Sequence, residues 1–520
     1  MEYQTERMQT YQTEKPVTDQ FYMDHDYNVP DAKPDVRQVI LAEGSLMLED
    51  IRMVENYVKV AGKLKFKVLY LTEEEETPVS GMEGRIPFEE MVYMEQEVTG
   101  NLSVEPVSVE VTASLIHSRK LEIKALSEIA VHTEGYQEEE ITTDIDGGEV
   151  PLYKKYSEKD LLSVYTAKRD ILRVREETSL DGTKENIETL LWTEVSLRKF
   201  DTRLEENGIL AEGELLLFCL YSAGDGKTDW MERTLPFSGR IECDGVEETM
   251  YHQIWPELGD VNVEVQMDED GEMRVLAAEA ALEVRFVVYR ELHMTVLEDL
   301  YSLQQTCVPE RKEVKMEKLL MQNHSKCKVA EQLSLPEIKD RILQICHSSA
   351  RIQPESIHIT EEGLQIEGVL HVGFLYIKAD DQVPFDTWQG MIPFSYLLES
   401  NETSEDMEYD LTQRVEQLSV SLLGSDEIEI RAVLGFHCFF KQPETIQNIE
   451  SAAFEPIRAE ELENRPGIVG YIVRTGDQLW DLAKKYQTTV DCIKRVNDLE
   501  NEEIKTGDRI LIFKENMSIL

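Results

Sequence analysis

Cysteine is scarce in this chain and forms no pattern. Seven cysteines (Cys219, Cys243, Cys307, Cys327, Cys346, Cys438, Cys492) stand in 520 residues, an odd number with no C-x-x-C pair among them. A chain this long needs no disulfide staples, so free, mostly buried thiols in a reducing cytoplasm are expected. Long apolar runs are missing too. The longest, about Leu215 to Tyr221, falls far below the roughly 18 to 20 residues that cross a bilayer, so no transmembrane helix is expected. The opening residues, MEYQTERMQTYQTEKP, have neither the basic nor the apolar region of a secretory signal, and the protein is expected to stay where it is made. Basic residues are outnumbered: 53 Lys and Arg face 103 Asp and Glu, for a formal charge of -50. That sign repels phosphate backbones and anionic headgroups, which argues against nucleic acid and membrane surfaces as partners. No G-x-S-x-G, H-E-x-x-H or Gly-rich dinucleotide fingerprint occurs, and carboxylates are too common for spacing to nominate a catalytic pair. The chain is expected to be no enzyme, with no catalytic residue, metal or cofactor.

What is present is enough apolar side chain, 41% of the residues, to build cores, and a length that suggests three or four domains at roughly 150 residues each. An internal repeat fixes the organisation. VKVAGKLKFKVLY (Val58 to Tyr70), ILAEGELLLFCLY (Ile209 to Tyr221) and LQIEGVLHVGFLY (Leu364 to Tyr376) place Gly62, Gly213 and Gly368 eight residues before Tyr70, Tyr221 and Tyr376. Ile86-Pro87-Phe88, Leu235-Pro236-Phe237 and Ile392-Pro393-Phe394 follow in the same order, and then LEIKA (Leu121 to Ala125), MRVLA (Met273 to Ala277) and IEIRA (Ile428 to Ala432). Each unit reads as β. Val58, Val60, Leu64, Phe66, Val68 and Tyr70 alternate with Lys59, Lys63, Lys65 and Lys67, the period of a strand with one wet face. In the second copy both faces are apolar, so that strand is central. Each repeated Gly marks a bulge or a close backbone approach. Segments of more helical character, Pro34 to Leu41 and Pro336 to Ile345, precede the units. The acidic stretch Glu138 to Glu140 and the charged run Pro309 to Lys318 read as linkers.

The C-terminal sequence from Gly470 is different in kind and reads as strand, helix, helix, strand. Asp477 is a candidate N-cap, with Leu479, Leu482, Ala483 and Tyr486 on one helix face. Thr488 with Asp491 signals the second helix, and Ile510 and Ile512 alternate in the last strand. The fold class is therefore mainly β: three tandem antiparallel β-sandwich-like domains followed by a small α/β (βααβ) domain. The divisions are a tail at 1–29, β domains at 30–140, 175–300 and 325–445, and the small domain at 466–515.

That small domain resembles the LysM domain. Tyr471, Val473, Gly476, Asp477, Leu479, Trp480, Ala483, Tyr486, Asn497, Leu499, Gly507, Ile510 and Ile512 stand at its motif positions. The resemblance implies ligand-binding loops at Thr475 to Gln478 and Asp498 to Lys505 that take N-acetylglucosamine polymers. Gln478 replaces the usual Thr in the first loop, and Phe513 the usual Pro after the last strand. The three repeats resemble SPOCS domains of endospore-forming bacteria, whose K-P-D opening appears as Lys33-Pro34-Asp35 and decays to Leu335-Pro336-Glu337. Tandem SPOCS units followed by one LysM is the layout of the SipL-type family of spore envelope morphogenetic proteins. That resemblance implies a scaffold in the mother cell cytoplasm, at the forespore surface, whose LysM docks a SpoIVA-like coat morphogenetic ATPase. Peptidoglycan is the competing partner. The residues nominated for partner or glycan binding are Thr475, Gly476, Asp477, Gln478, Leu479, Trp480, Lys484, Lys485, Asn497, Leu499 and Ile504.

Several sharper motifs have plainer readings. Gly226-Lys227-Thr228 lacks the first Gly of a phosphate-binding loop, since Tyr221 stands there, and reads as a hairpin turn. Cys346-His347 and His437-Cys438 lack further ligand spacing and read as core or surface residues. The Lys59 to Lys67 stripe reads as a solvated face, and Trp480 as a packed core residue. Between Pro466 and Glu515 stand 8 Lys or Arg and 9 Asp or Glu, so the acidity belongs to the repeats.

Overall fold

The computed structural model describes residues 2–13, 15–74, 77–95, 100–336, 341–379, 383–404, 406–424, 426–457 and 467–513. In the first repeat, β1 (Glu2–Thr13) and β2 (Val17–Asn28) precede β3 (Val36–Val54), β4 (Tyr57–Thr72), β5 (Val79–Tyr93), β6 (Asn101–His117) and the long β7 (Lys120–Asp146). The second runs β8 (Tyr153–Ser179), β9 (Ile187–Glu205), β10 (Gly208–Ala223), β11 (Thr228–Glu242), β12 (Tyr251–Met267) and β13 (Met273–Tyr301). The third runs β14 (Gln305–Ser334), β15 (Ile342–Thr360), β16 (Gly363–Lys378), β17 (Phe385–Glu399), β18 (Glu408–Leu422) and β19 (Glu427–Pro456).

Each repeat is a sandwich. The three-stranded sheets β3-β4-β5, β9-β10-β11 and β15-β16-β17 carry the repeated Gly–Tyr strand in the middle. The second layer comes from β2, the first half of β7 and β6, and from the equivalent strands of the other copies. The repeated markers fill the interiors: Leu64, Phe66, Ile86, Phe88, Leu121 and Ile123 in the first copy share one core, and their counterparts share one in the third. In the second, Leu215, Leu217, Leu235 and Phe237 do the same, while Leu276 and Ala278 rather than Met273 and Val275 come from the last marker's strand. The glycines do what their place in a strand requires. A Cβ on Gly62 would lie 2.2 Å from the Met47 carbonyl oxygen, on Gly213 2.3 Å from that of Lys199, and on Gly368 2.4 Å from that of Gln353. Each sits beside a bulge in the neighbouring strand, which pushes that carbonyl across.

The outer faces of the Gly–Tyr sheets are also covered. Leu69 and Leu71 of β4, Phe218 and Leu220 of β10, Leu375 of β16 and Cys346 of β15 share a core where the three repeats meet. Three hydrogen bonds close the ring: Lys67 Nζ donates to Thr193 O at 3.0 Å, an Arg198 guanidinium nitrogen to Ser348 O at 3.4 Å, and Thr387 Oγ1 to Ile40 O at 3.5 Å. At this junction the buried His347 stacks on Phe218 with centroids 4.2 Å apart, and its ring nitrogens lie 2.8 Å from Glu232 and 2.9 Å from Glu194. Burial alone would lower the imidazole pKa, but the Glu194 charge and the bonds to Glu194 and Glu232 raise it to about 9. Burial, and then the Glu194 charge, push the Glu43 carboxyl up as well.

Beyond the sandwiches the long strands continue as three two-stranded arms: β1 with the end of β7, the start of β8 with the end of β13, and the start of β14 with the end of β19. Met8, Ile141, Leu161, Met294, Val296, Val314, Met316 and Ile446, drawn from all six strands, form one core. Thr142 N donates to Asn448 Oδ1 at 2.8 Å, and Ala452 N to the Tyr3 hydroxyl at 3.0 Å.

Several expectations are corrected here. Residues 1–29, expected as a tail, contribute β1 to an arm and β2 to the first sandwich. Only every second side chain of a one-faced strand must be apolar, and Met8 and Tyr11 of β1, Phe21 and Met23 of β2 suffice. The expected linkers are arm strands, and they touch: Lys312 pairs with Glu139 at 2.6 Å while Val314 and Met316 face the core. The expected helical character of Pro34 to Leu41 and Pro336 to Ile345 is β from Val36 and from Ile342 onward. Bulges after Val36, Val39, Ile342 and Ile345 break the period of two and leave a helix-like spacing; residues 337–340 lie outside the described residues. Gly226, with φ +80°, turns the β10–β11 hairpin as expected. Lys59, Lys63 and Lys67 are paired with Glu89, Glu49 and Glu83.

Two outcomes test this fold. Gly62→Ala should lower stability by roughly 1–3 kcal/mol in chemical denaturation, because the Met47 carbonyl is backbone and cannot turn aside. A group whose folded pKa is raised loses its contribution as pH rises through that pKa, and the raised His347 and Glu43 both work in this direction. Between pH 7 and pH 10 stability should therefore fall by about 1–3 kcal/mol, and His347→Gln should flatten that dependence in thermal scans.

Candidate functional site: the C-terminal module and its seat on the arms

Residues 467–513 fold as β20 (Ile468–Ile472), α1 (Leu479–Tyr486), α2 (Val490–Val496) and β21 (Arg509–Phe513), with β20 antiparallel to β21. Leu479, Leu482 and Ala483 of α1 and Ile493 of α2 bury themselves with Val473, Ile510 and Ile512. The helix starts differ from expectation. Gln478, not Asp477, occupies the N-cap position of α1 and makes no side-chain cap. The Asp477 carboxylate turns back to accept from Arg474 N and the Tyr471 hydroxyl, both at 2.8 Å, and so closes the first loop. At α2 the cap is Thr489, whose hydroxyl accepts from Cys492 N at 3.1 Å.

All the nominated residues except Lys485 separate into three groups. Asn497 and Leu499 are structural: the Asn497 amide nitrogen donates to Ile493 O and Leu511 O, its oxygen accepts from Leu511 N, and Leu499 packs on the core. Asp477, Gln478, Leu479, Trp480 and Ile504 line an open groove of about 450 Å³ together with Lys155, Glu502, Glu503 and Lys505, while Thr475 and Gly476 are exposed in the first loop beside it. Trp480 also belongs with Lys484 in the third group, which faces the arms. Lys485 is exposed with its ammonium 5.5 Å from the Tyr486 ring.

The seat on the arms is a feature the sequence did not signal. Asp299, near the end of β13, accepts from the Trp480 indole N–H at 2.8 Å and from Lys484 Nζ at 2.7 and 2.8 Å, and pairs with Arg311 at 2.6 Å. Burial alone would raise this carboxyl, but the bonds from Lys484 and Trp480 and the charges of Lys484 and Arg311 outweigh it and hold it below the usual carboxylate range. Two residues on, the buried Tyr301 stacks on Tyr153, meets Trp480 edge-on at 5.0 Å and donates to Thr488 O at 2.9 Å. Lys155 Nζ donates to Gln478 Oε1 at 3.1 Å. In a chain with 103 acidic residues, one Asp and one Tyr in a strand carry no distinguishing pattern.

Among the described residues, only Glu105, His132 and Glu134 bring three ligand atoms within 4.8 Å of one another. Arg285 already fills that cluster, at 3.0 Å from Glu105 and 2.6 Å from Glu134, which makes it an ion-pair network. Asp299→Ala leaves the Lys484 ammonium and Trp480 indole without their acceptor, and should cost about 1–3 kcal/mol of docking. A red shift in tryptophan emission, absent when the same change is made in a Trp480→Phe background, is the expected readout.

Comparison with known families places these units. The SipL SPOCS domain family matches residues 35–112, 186–266 and 341–423, and the LysM domain family matches residues 471–513. No curated protein and no solved structure matches the chain. Both families are binding or scaffold domains rather than catalytic ones, and together they mark a sporulation-related protein with a module of the peptidoglycan-binding type. The chain thus has the SipL-type architecture: three tandem SPOCS domains followed by one LysM domain.

Proposed function

We propose that this protein is a non-enzymatic scaffold of spore envelope assembly, held in the mother cell cytoplasm at the forespore surface, whose LysM domain docks a protein partner. On the family layout that partner is a SpoIVA-like coat morphogenetic ATPase. The observation that carries the reading is the charge of the open loops: Asp498, Glu500, Glu502 and Glu503 are exposed in and beside the second loop, on a body that already carries most of a -50 charge. An acidic rim on an acidic body speeds encounter with a basic protein surface and opposes the anionic peptides of wall glycan. The three-repeat body would act as the platform, with the LysM fixed at the far end of its arms.

Deleting residues 467–513 should abolish co-purification of the ATPase from sporulating cells. Glu502→Lys with Glu503→Lys should weaken it at least about fivefold and reduce its salt sensitivity. Undiminished co-purification in both variants sinks the reading, and saturable sedimentation with purified peptidoglycan at moderate salt would favour the glycan alternative.

A further inference from the structure

We infer that the scaffold completes the LysM groove: Lys155, on the arm strand β8, supplies a cation that selects a polypeptide segment of mixed charge. This rests on the reading of the LysM domain as a protein-docking module and extends it to the partner's chemistry. The floor of the groove is apolar, made by Leu479, Trp480 and Ile504. On the second-loop side Glu502 and Glu503 are exposed, and among the described residues neither makes an ion pair. Lys505 is the domain's own cation in the lining, on the second loop. On the first-loop side the Asp477 carboxylate is held by Arg474 N and the Tyr471 hydroxyl, and the cation comes from outside the domain. Lys155 Nζ donates to Gln478 Oε1 at 3.1 Å and lies 3.2 Å from Glu298, with a side chain about one-third exposed.

Lys155 is therefore pre-positioned. Two tethers hold the ammonium at the groove, so a ligand carboxylate meets it at little entropic cost. A neutral sugar filling the same space would desolvate two carboxylates and an ammonium and return no charge to any of them. A segment with basic side chains toward Glu502 and Glu503, apolar ones over Trp480 and Ile504, and a carboxylate toward Lys155 satisfies all three. Gln478 then has a purpose in the first loop, because its amide oxygen is the LysM atom that receives the scaffold's lysine. The site depends on docking as well, since Lys155 reaches the groove only while Asp299 holds Trp480 and Lys484 against the arms.

The test uses the full-length protein and fluorescence anisotropy at low salt with three probes. These are a labelled peptide that is basic at one end, apolar in the middle and acidic at the other, its all-basic analogue, and a labelled N-acetylglucosamine hexamer. Wild type should prefer the mixed-charge peptide to the all-basic one by at least about fivefold. Lys155→Glu should reverse that order, Lys155→Gln should give an intermediate, and Asp299→Ala should bring the two peptides within about twofold. A preference that survives Lys155→Glu and Asp299→Ala unchanged overturns the role of Lys155 while leaving the docking reading standing. Wild-type binding to the hexamer alone overturns both, and wild-type binding to none of the probes overturns the assignment of the groove.

Discussion

Leu69, Phe218 and Leu375 lie on sheet faces that an isolated sandwich would leave in water, and their burial against one another is the constraint on which the rest of the molecule depends. Each SPOCS domain has a filled interior of its own, yet its Gly–Tyr strand is apolar on the outer face near the Tyr end. Joining three such faces removes them from water and brings together charged groups that would otherwise be solvated. Glu43 and Glu194 meet there, and His347, with Lys67 and Arg198 nearby, supplies the compensating charge. The repeats therefore form one closed set around a shared centre. The strands leaving the sandwiches are brought side by side, and they continue as arms whose common core of Met8, Met294, Met316 and their neighbours has no counterpart within a single repeat.

The arms in turn explain the LysM. A small domain on a tether would sample many orientations, but Asp299, Tyr301 and Lys155 give it one seat at the arms' far end. The Trp480 indole N–H and the Lys484 ammonium are spent on that seat, which leaves the groove and the loops with their carboxylates as the surface turned outward. Charge separation supports the same division: the repeats carry nearly all the net negative charge, and the near-neutral LysM concentrates its own acid on the second loop. Fold and electrostatics thus meet at one groove, with one wall from the module and a cation from the platform.

Much of this was legible beforehand because the repeated markers are core residues. Leu64, Ile86 and Phe88 recur because each sandwich needs the same interior, and Gly62, Gly213 and Gly368 recur because a bulged neighbour leaves no room for a Cβ. The arms were not legible. Their strands bury one face only, their polar residues outnumber the apolar ones, and sequences such as Glu138 to Glu140 and Pro309 to Lys318 look like solvated linkers until their partner strand is known. Bulges near Val39 and Ile345 disguised strand starts as helix. Within the LysM, motif spacing located the loops, but it could not separate Asn497, whose amide is wholly taken up by Ile493 and Leu511, from residues that face a ligand. The partners of Trp480 and Lys484 come from a strand more than 180 positions away in sequence, and no local pattern encodes such a contact.

The central claim is that the LysM and the SPOCS scaffold are one body joined through Asp299. A zero-length carbodiimide, which couples a carboxylate to an amine only where the two are already in contact, tests it most directly. Treatment of the full-length protein followed by peptide mass spectrometry should yield a Lys484–Asp299 cross-link, matching their 2.7 Å separation, and a Lys155–Glu298 cross-link as an internal standard. Recovery of Lys155–Glu298 with Lys484 joined only to carboxylates of its own domain would contradict the account.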